Sequence, residues 1–315
     1  MQNSELSLCE LLEGKKKPGF SVSKELCARF AGMTDSKSLP APRSAKNIDA
    51  SKVRALLVKV PAVTAFFWII KVLATTVGET FADFLTTYFH RNLHVLTRHA
   101  SLYVCAISLG ALLLILAVQF AAKKYIPVLY WTAIVVISVA GTQITDALHD
   151  IYGVELWATT VLFAVLLTIT FAIWYRSEGT LAMKSINTRK REAYYWLAIL
   201  FTFSLGTSAG DQLSEFMGNY LPSGLLFVVP LAVFAAAIGL VVVLKQFNAI
   251  GTITAFWIAY ILTRPLGANL GDLLAQQPAD GGAGLGTNTV SLIFLGLILL
   301  SVGVLTITKR DKLTA

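Results

Sequence analysis

From Val58 onward the chain is written in apolar stretches of about 20 residues separated by short polar joints, the length a helix needs to cross roughly 30 Å of hydrocarbon. The stretches fall near residues 60–86, 100–121, 126–148, 155–175, 193–214, 222–245, 250–274 and 287–308. None alternates apolar and polar residues as a barrel strand does. The pattern therefore predicts an all-α integral membrane protein with eight transmembrane helices. Composition points the same way: 56% of the side chains are hydrophobic and only 14% charged, against about 25% charged in a soluble domain.

Residues 1–57 are different. They hold ten Lys/Arg and six Asp/Glu with scattered Ser and Pro and no run long enough to span, which predicts a basic, mostly disordered cytoplasmic extension. A short apolar core near the start is missing, so no cleavable signal peptide is expected. The other basic residues sit in alternate joints, at Lys123 and Lys124, at Arg176 to Arg191, at Lys245 and at Lys309 to Lys312, while the opposing joints carry Asp150, Glu155, Glu215 and Asp280. By the positive-inside rule both termini are cytoplasmic, in a bacterial inner membrane. The first joint, with Arg91 and Arg98, is the exception. The net charge of +8 follows from this topology, and no nucleic-acid partner is expected.

An internal repeat organises the eight stretches. Aligning the odd-numbered ones on Trp68, Trp131, Trp196 and Trp257 brings Gly78, Gly141, Gly206 and Gly267 into register ten residues later, and Asp83, Asp146, Asp211 and Asp272 five after that, each followed at +2 by a leucine. The motif W-x9-G-x4-D-x-L occurs four times, at spacings of 63, 65 and 61 residues. Each unit holds two spans, so the four run in parallel, over about 58–121, 122–186, 187–247 and 248–310. They can close around a pseudo-fourfold axis or pair as halves.

Helix spacing turns the motif into a polar face. Three and four residues before the aspartates stand Thr80 and Glu79, Gln143 and Thr142, Ser208 and Thr207, and Asn269 with Ala268. An ionised aspartate in hydrocarbon costs about 2.5–3.5 kcal/mol, so the stripe is expected to face a cavity or a partner. Each aspartate also lies toward its helix C-terminus, an added penalty of roughly 0.3–1 kcal/mol. Something positive is expected nearby: a bound divalent cation, protons, or Arg264, which occurs only in the fourth copy beside Pro265 and can pair with Glu79 or with an aspartate of another copy. The glycines are expected to let helices pack closely. A structural reading of the aspartates, as acceptors near the headgroups about 22 Å from the tryptophans, stands beside this one. His90 and His94, spaced i, i+4, form a weaker candidate for a metal.

The stretch KVPAVTAFFWIIKVLATTVGETFADFL, residues 59–85, with the fourfold reuse of its G-x4-D core, resembles a family of bacterial predicted membrane proteins described only as membrane-anchored and built from a repeat of unknown function. The likeness covers about residues 58–310. It implies the multi-span repeat and no activity.

The chain has no H-E-x-x-H, no G-x-x-x-x-G-K and no CxxC, and the run from Gly281 to Gly286 has neither a strand before it nor a lysine after it. An enzyme is not expected, and that run reads as a flexible outer loop. The leading expectation is a secondary transporter or channel for a small divalent cation or a cationic solute, proton-coupled through the same carboxylates. The alternative is a non-transporting scaffold or a pH or metal sensor acting through the basic tail. The expected partners are the lipid bilayer and the cation, with a homo-oligomer left open.

Overall fold

The computed structural model describes residues 58–92, 97–309 and 311. The basic extension 1–57 and His94 lie outside the described residues. Within them there are eight long helices: α1 (Ala65–Asn92), α2 (Thr97–Ala121), α3 (Pro127–Asp146), α4 (Leu156–Glu178), α5 (Arg189–Gly218), α6 (Val228–Gln246), α7 (Thr252–Ala275) and α8 (Thr287–Thr308). No strand occurs among the described residues. Local chemistry sets several ends. α3 opens on Pro127, whose missing N–H would be unpaired there anyway, and α4 stops at Gly179 in the left-handed region at φ 70°, its N–H on the Tyr175 carbonyl.

The odd-numbered helices form a ring and the even ones an outer layer. α1 packs on α3, α3 on α5, α5 on α7, and α7 back on α1; each outer helix leans mainly on the ring helix that follows it, α2 on α3, α4 on α5, α6 on α7 and α8 on α1. The four repeats therefore close around a pseudo-fourfold axis. Among the described residues six helices are long and apolar enough to cross a membrane: α1, α2, α3 with its following turn, α4, α6 and α8. In their most apolar windows α1 and α3 are 61% and 67% buried, whereas α2, α4, α6 and α8 are 28%, 28%, 17% and 28% buried. The outer layer thus presents its apolar surface outward, as a lipid-facing surface does.

The repeated glycines close the ring. A Cβ on Gly78 would collide with the Ser138 side chain, one on Gly267 with Thr75, one on Gly141 would lie 2.8 Å from Phe203 Cβ, and one on Gly206 2.5 Å from Arg264 Cβ. Each partner stands three residues before the motif glycine of the adjoining copy. The same contact is made four times around the axis, and only a residue without a side chain allows it.

Two sequence expectations change. α1 runs nine residues past Asp83 to Asn92, α3 continues past Asp146 as a π-helical turn to Ile151, and α5 runs past Asp211 to Gly218, so the C-terminal dipole bears only on Asp272. The glycine-rich run is a built cap: the N–H groups of Ala283, Gly284, Leu285 and Gly286 donate to the carbonyls of Leu273, Gln276, Leu274 and Ala275 at 2.7–3.1 Å, satisfying the last turn of α7. Gly281, Gly284 and Gly286 supply the positive φ angles this fold-back needs.

Candidate functional site

The ring is layered along its axis. At the tryptophan end the residue before each tryptophan is aromatic, and each packs at a tilt against the tryptophan of the next copy: Phe67 on Trp131, Tyr130 on Trp196, Tyr195 on Trp257 and Phe256 on Trp68, with ring centroids 5.6, 5.6, 6.3 and 5.7 Å apart. Tyr130 and Tyr195 also share a short hydroxyl–hydroxyl hydrogen bond. This end is filled with rings. The signal was available in the sequence as an aromatic at every W−1 position.

One layer further in, Lys71 is fully buried, and its Nζ makes no hydrogen bond; it lies 4.0 Å from the centre of the Phe203 ring and 4.2 Å from that of Tyr260. Next comes Arg264, also fully buried. Its Nη2 donates to Glu79 Oε2 at 2.7 Å and, through a short contact, to Thr142 Oγ1, and Nη1 reaches the Thr75 carbonyl at 3.5 Å. The guanidinium thus bridges copies four, one and two. Pro265 lies within α7, which continues through it, and the ring fits against Gly206 and Gly210 of α5.

The second polar position serves helix contacts in the first, second and fourth copies, and in the third it bonds within its own helix. Thr80 Oγ1 meets Ser291 Oγ of α8 at 2.8 Å, Gln143 donates to Thr86 Oγ1 at 3.3 Å, Asn269 accepts from Ser214 at 3.0 Å, and Ser208 donates to Ser204 within its own helix at 3.1 Å. Thr207 bonds the Phe203 carbonyl at 3.1 Å. These residues tie the bundle together around the acids.

The aspartates lie beyond this layer, all half-buried. The carboxylates of Glu79, Asp83 and Asp272 have oxygens within 4.8 Å of one another, a spacing that suits one shared cation. Asp83 also faces a polar cavity of about 430 Å³, together with Asp146, Asp150, Thr86 and Gln276. Asp211 holds the same register on α5, at the same end of the ring, but belongs neither to this trio nor to the lining of the cavity. The four acids therefore gather at one end of the ring. His90 is exposed on the last turns of α1, and with His94 outside the described residues no histidine pair is defined.

A further polar cluster, which sequence reasoning missed, lies at the tryptophan end. Lys59 Nζ pairs with buried Glu192 at 2.7 Å and donates to the Phe120 carbonyl at 3.2 Å, while Gln119 donates to Glu192 Oε1 at 3.2 Å. The Ala62 N–H donates to the Asp311 carbonyl at 2.8 Å, and Tyr125 Oη donates to Asp311 Oδ2 at 2.6 Å. The partners are up to 249 residues apart (311 − 62), so no local pattern announces them.

The family model described as Repeat of Unknown Function (DUF347) matches the chain four times, over residues 66–125, 129–180, 194–245 and 255–311. No curated protein and no solved structure matches it. The matches take in most of the chain, and each contains one ring helix with its tryptophan, glycine and aspartate, so the chain belongs to this repeat family and carries four copies of its repeat.

Proposed function

We propose that the protein is a secondary transporter for a small, divalent cation, with all eight helices crossing a bacterial inner membrane and both termini in the cytoplasm. In this reading α5 and α7 span like their ring partners, their polar residues turned to the axis and shielded by α4 and α6. The observation that carries the reading is the convergence of Glu79, Asp83 and Asp272 beside a polar cavity that also holds Asp146. Two buried cations, Lys71 and Arg264, lie between the aromatic layer and the five carboxylates of the motif faces, Glu79 and the four aspartates. Arg264 is committed to Glu79, which leaves the aspartates in need of positive charge from solution.

The aromatic layer favours a transporter over an open channel. A polar cavity at one end and packed rings at the other describe a path closed on one side, as alternating access requires. Hard oxygen donors select magnesium, manganese or calcium over softer metals, and protons exchanging on the same acids supply the coupling. The family match carries no activity, so catalysis finds no support there and transport rests on the site alone.

The test is flux. Liposomes holding the full chain are loaded with a divalent-sensitive dye and given magnesium, manganese or calcium with and without a proton gradient. Uptake is expected for the wild type and none for the variant with Asp83, Asp146, Asp211 and Asp272 all changed to Asn. A folded wild type that moves none of the three overturns the proposal.

A further inference from the structure

We propose that a groove between α1, α6 and α7 holds one acyl chain of an anionic phospholipid, with the phosphate at Lys245. The groove is a cavity of about 450 Å³ on the outside of the ring, away from the carboxylates. Val72 of α1, Val241 of α6 and Ala255, Ala259 and Leu266 of α7 wall it with hydrocarbon. It exists because Ala255, Ala259 and Thr263 follow one another at every fourth residue of α7, so that α6 rests on α7 without filling the space toward α1. Its mouth passes between Val63 and Val242, both exposed, and opens onto the apolar outer surface of α6, where Leu240 and Val243 also point outward.

The charged and amide groups lie at one end only, and the hydroxyl of Thr263 on the wall is spent on the Tyr260 carbonyl of its own helix. Lys245 and Gln246, at the C-terminal end of α6, and Thr252, the first residue of α7, close the groove at the tryptophan end. Lys245 has no hydrogen-bond or ion-pair partner among the described residues, and Trp68 lines the same end, where an indole suits the headgroup level. The hydrocarbon wall with a single cation at one rim matches a long chain carrying an anionic head.

Size decides against a second copy of the chain. One turn of helix, a cylinder about 10 Å across and 5.4 Å tall, would by itself fill roughly all of this volume, so the groove cannot seat a neighbouring helix along its length. Part of one slender acyl chain fits, with the remainder lying along the exposed apolar surface of α6.

The experiment is native mass spectrometry of the detergent-purified full chain with added dioleoyl phosphatidylglycerol or dioleoyl phosphatidylcholine. The wild type is expected to bind one phosphatidylglycerol about fivefold more tightly than phosphatidylcholine, the worth of one lysine near an anionic surface. Lys245→Gln, at a partly exposed position, should remove that preference while still binding lipid. Ala259→Leu, which projects into the empty groove, should weaken both lipids together. The proposal is overturned if the wild type shows no preference, if the preference survives Lys245→Gln, or if Ala259→Leu binds both lipids as the wild type does. Thermal unfolding of each variant, matched to the wild type, confirms that the fold is kept, and flux through the carboxylate site plays no part in the readout.

Discussion

The two ends of the ring are made from the same four helices and have opposite characters. At the tryptophan end, one contact is repeated four times with the same partners by type, and the interior is full. At the aspartate end, the four acids keep their register, but what surrounds them differs from copy to copy: Arg264 with Glu79 on one side, Gln143 with Thr86 and Asn269 with Ser214 on others. Symmetry is kept where packing alone is required. It is broken where charge must be managed, because one buried guanidinium can neutralise one carboxylate, and four arginines against Gly78, Gly141, Gly206 and Gly267 would crowd a single axis.

That contrast is broken most severely in the middle. Glu79→Gln leaves the Arg264 guanidinium buried without its counter-ion and should cost about 3–5 kcal/mol, read as a lower unfolding midpoint in detergent. Glu79→Met combined with Arg264→Met should recover much of it, because the pair is then removed together. At the tryptophan end, Phe67→Ala opens a hole among packed rings, at a cost of about 3–5 kcal/mol, with divalent cation affinity kept; a loss of both would show that the two ends are not separable.

Gly206→Val drives a side chain into Arg264 and Pro265 and should cost roughly 1–3 kcal/mol, with unfolding again the measure. Asp146→Asn sharpens the comparison from the other side. It should leave the unfolding midpoint at or above that of the wild type, since it removes like-charge repulsion, while lowering manganese affinity about tenfold in a titration, the equivalent of roughly 1.4 kcal/mol.

The smallest effect concerns pH. Burial, and then the hydrogen bond to Asp311, push the Tyr125 hydroxyl above the ordinary tyrosine range. A raised value in the folded state means that this stability is fully present below about pH 10, where the unfolded tyrosine ionises, and is lost progressively at higher pH. Tyr125→Phe should flatten the fall in unfolding midpoint above that pH and change little near neutrality.

Much of the fold was legible because its signals are local. Apolar runs give helices, and the motif recurs at a period of one hairpin, so eight helices and four parallel units follow from the sequence. The closure of the ring was not legible, for a physical reason. The residue that meets each motif glycine is Thr75, Ser138, Phe203 or Arg264, and four such unlike side chains make the same contact without leaving a shared pattern. The candidate site was half legible. The acids were marked by their cost in hydrocarbon, but the second polar residue of each copy was grouped with them by helix spacing, and spacing cannot tell a side chain facing the axis from one facing the next helix. Lys59 and Glu192 escaped notice because neither carries meaning until the fold brings them within 2.7 Å.

A closed circle of hairpins has no first member. α8 leans on α1 as α2 leans on α3, and the Ala62 N–H already touches the Asp311 carbonyl. A circular permutant opened between α2 and α3, with α8 joined to α1, would inherit every neighbour relation among the helices, including the meeting of Arg264 with Glu79.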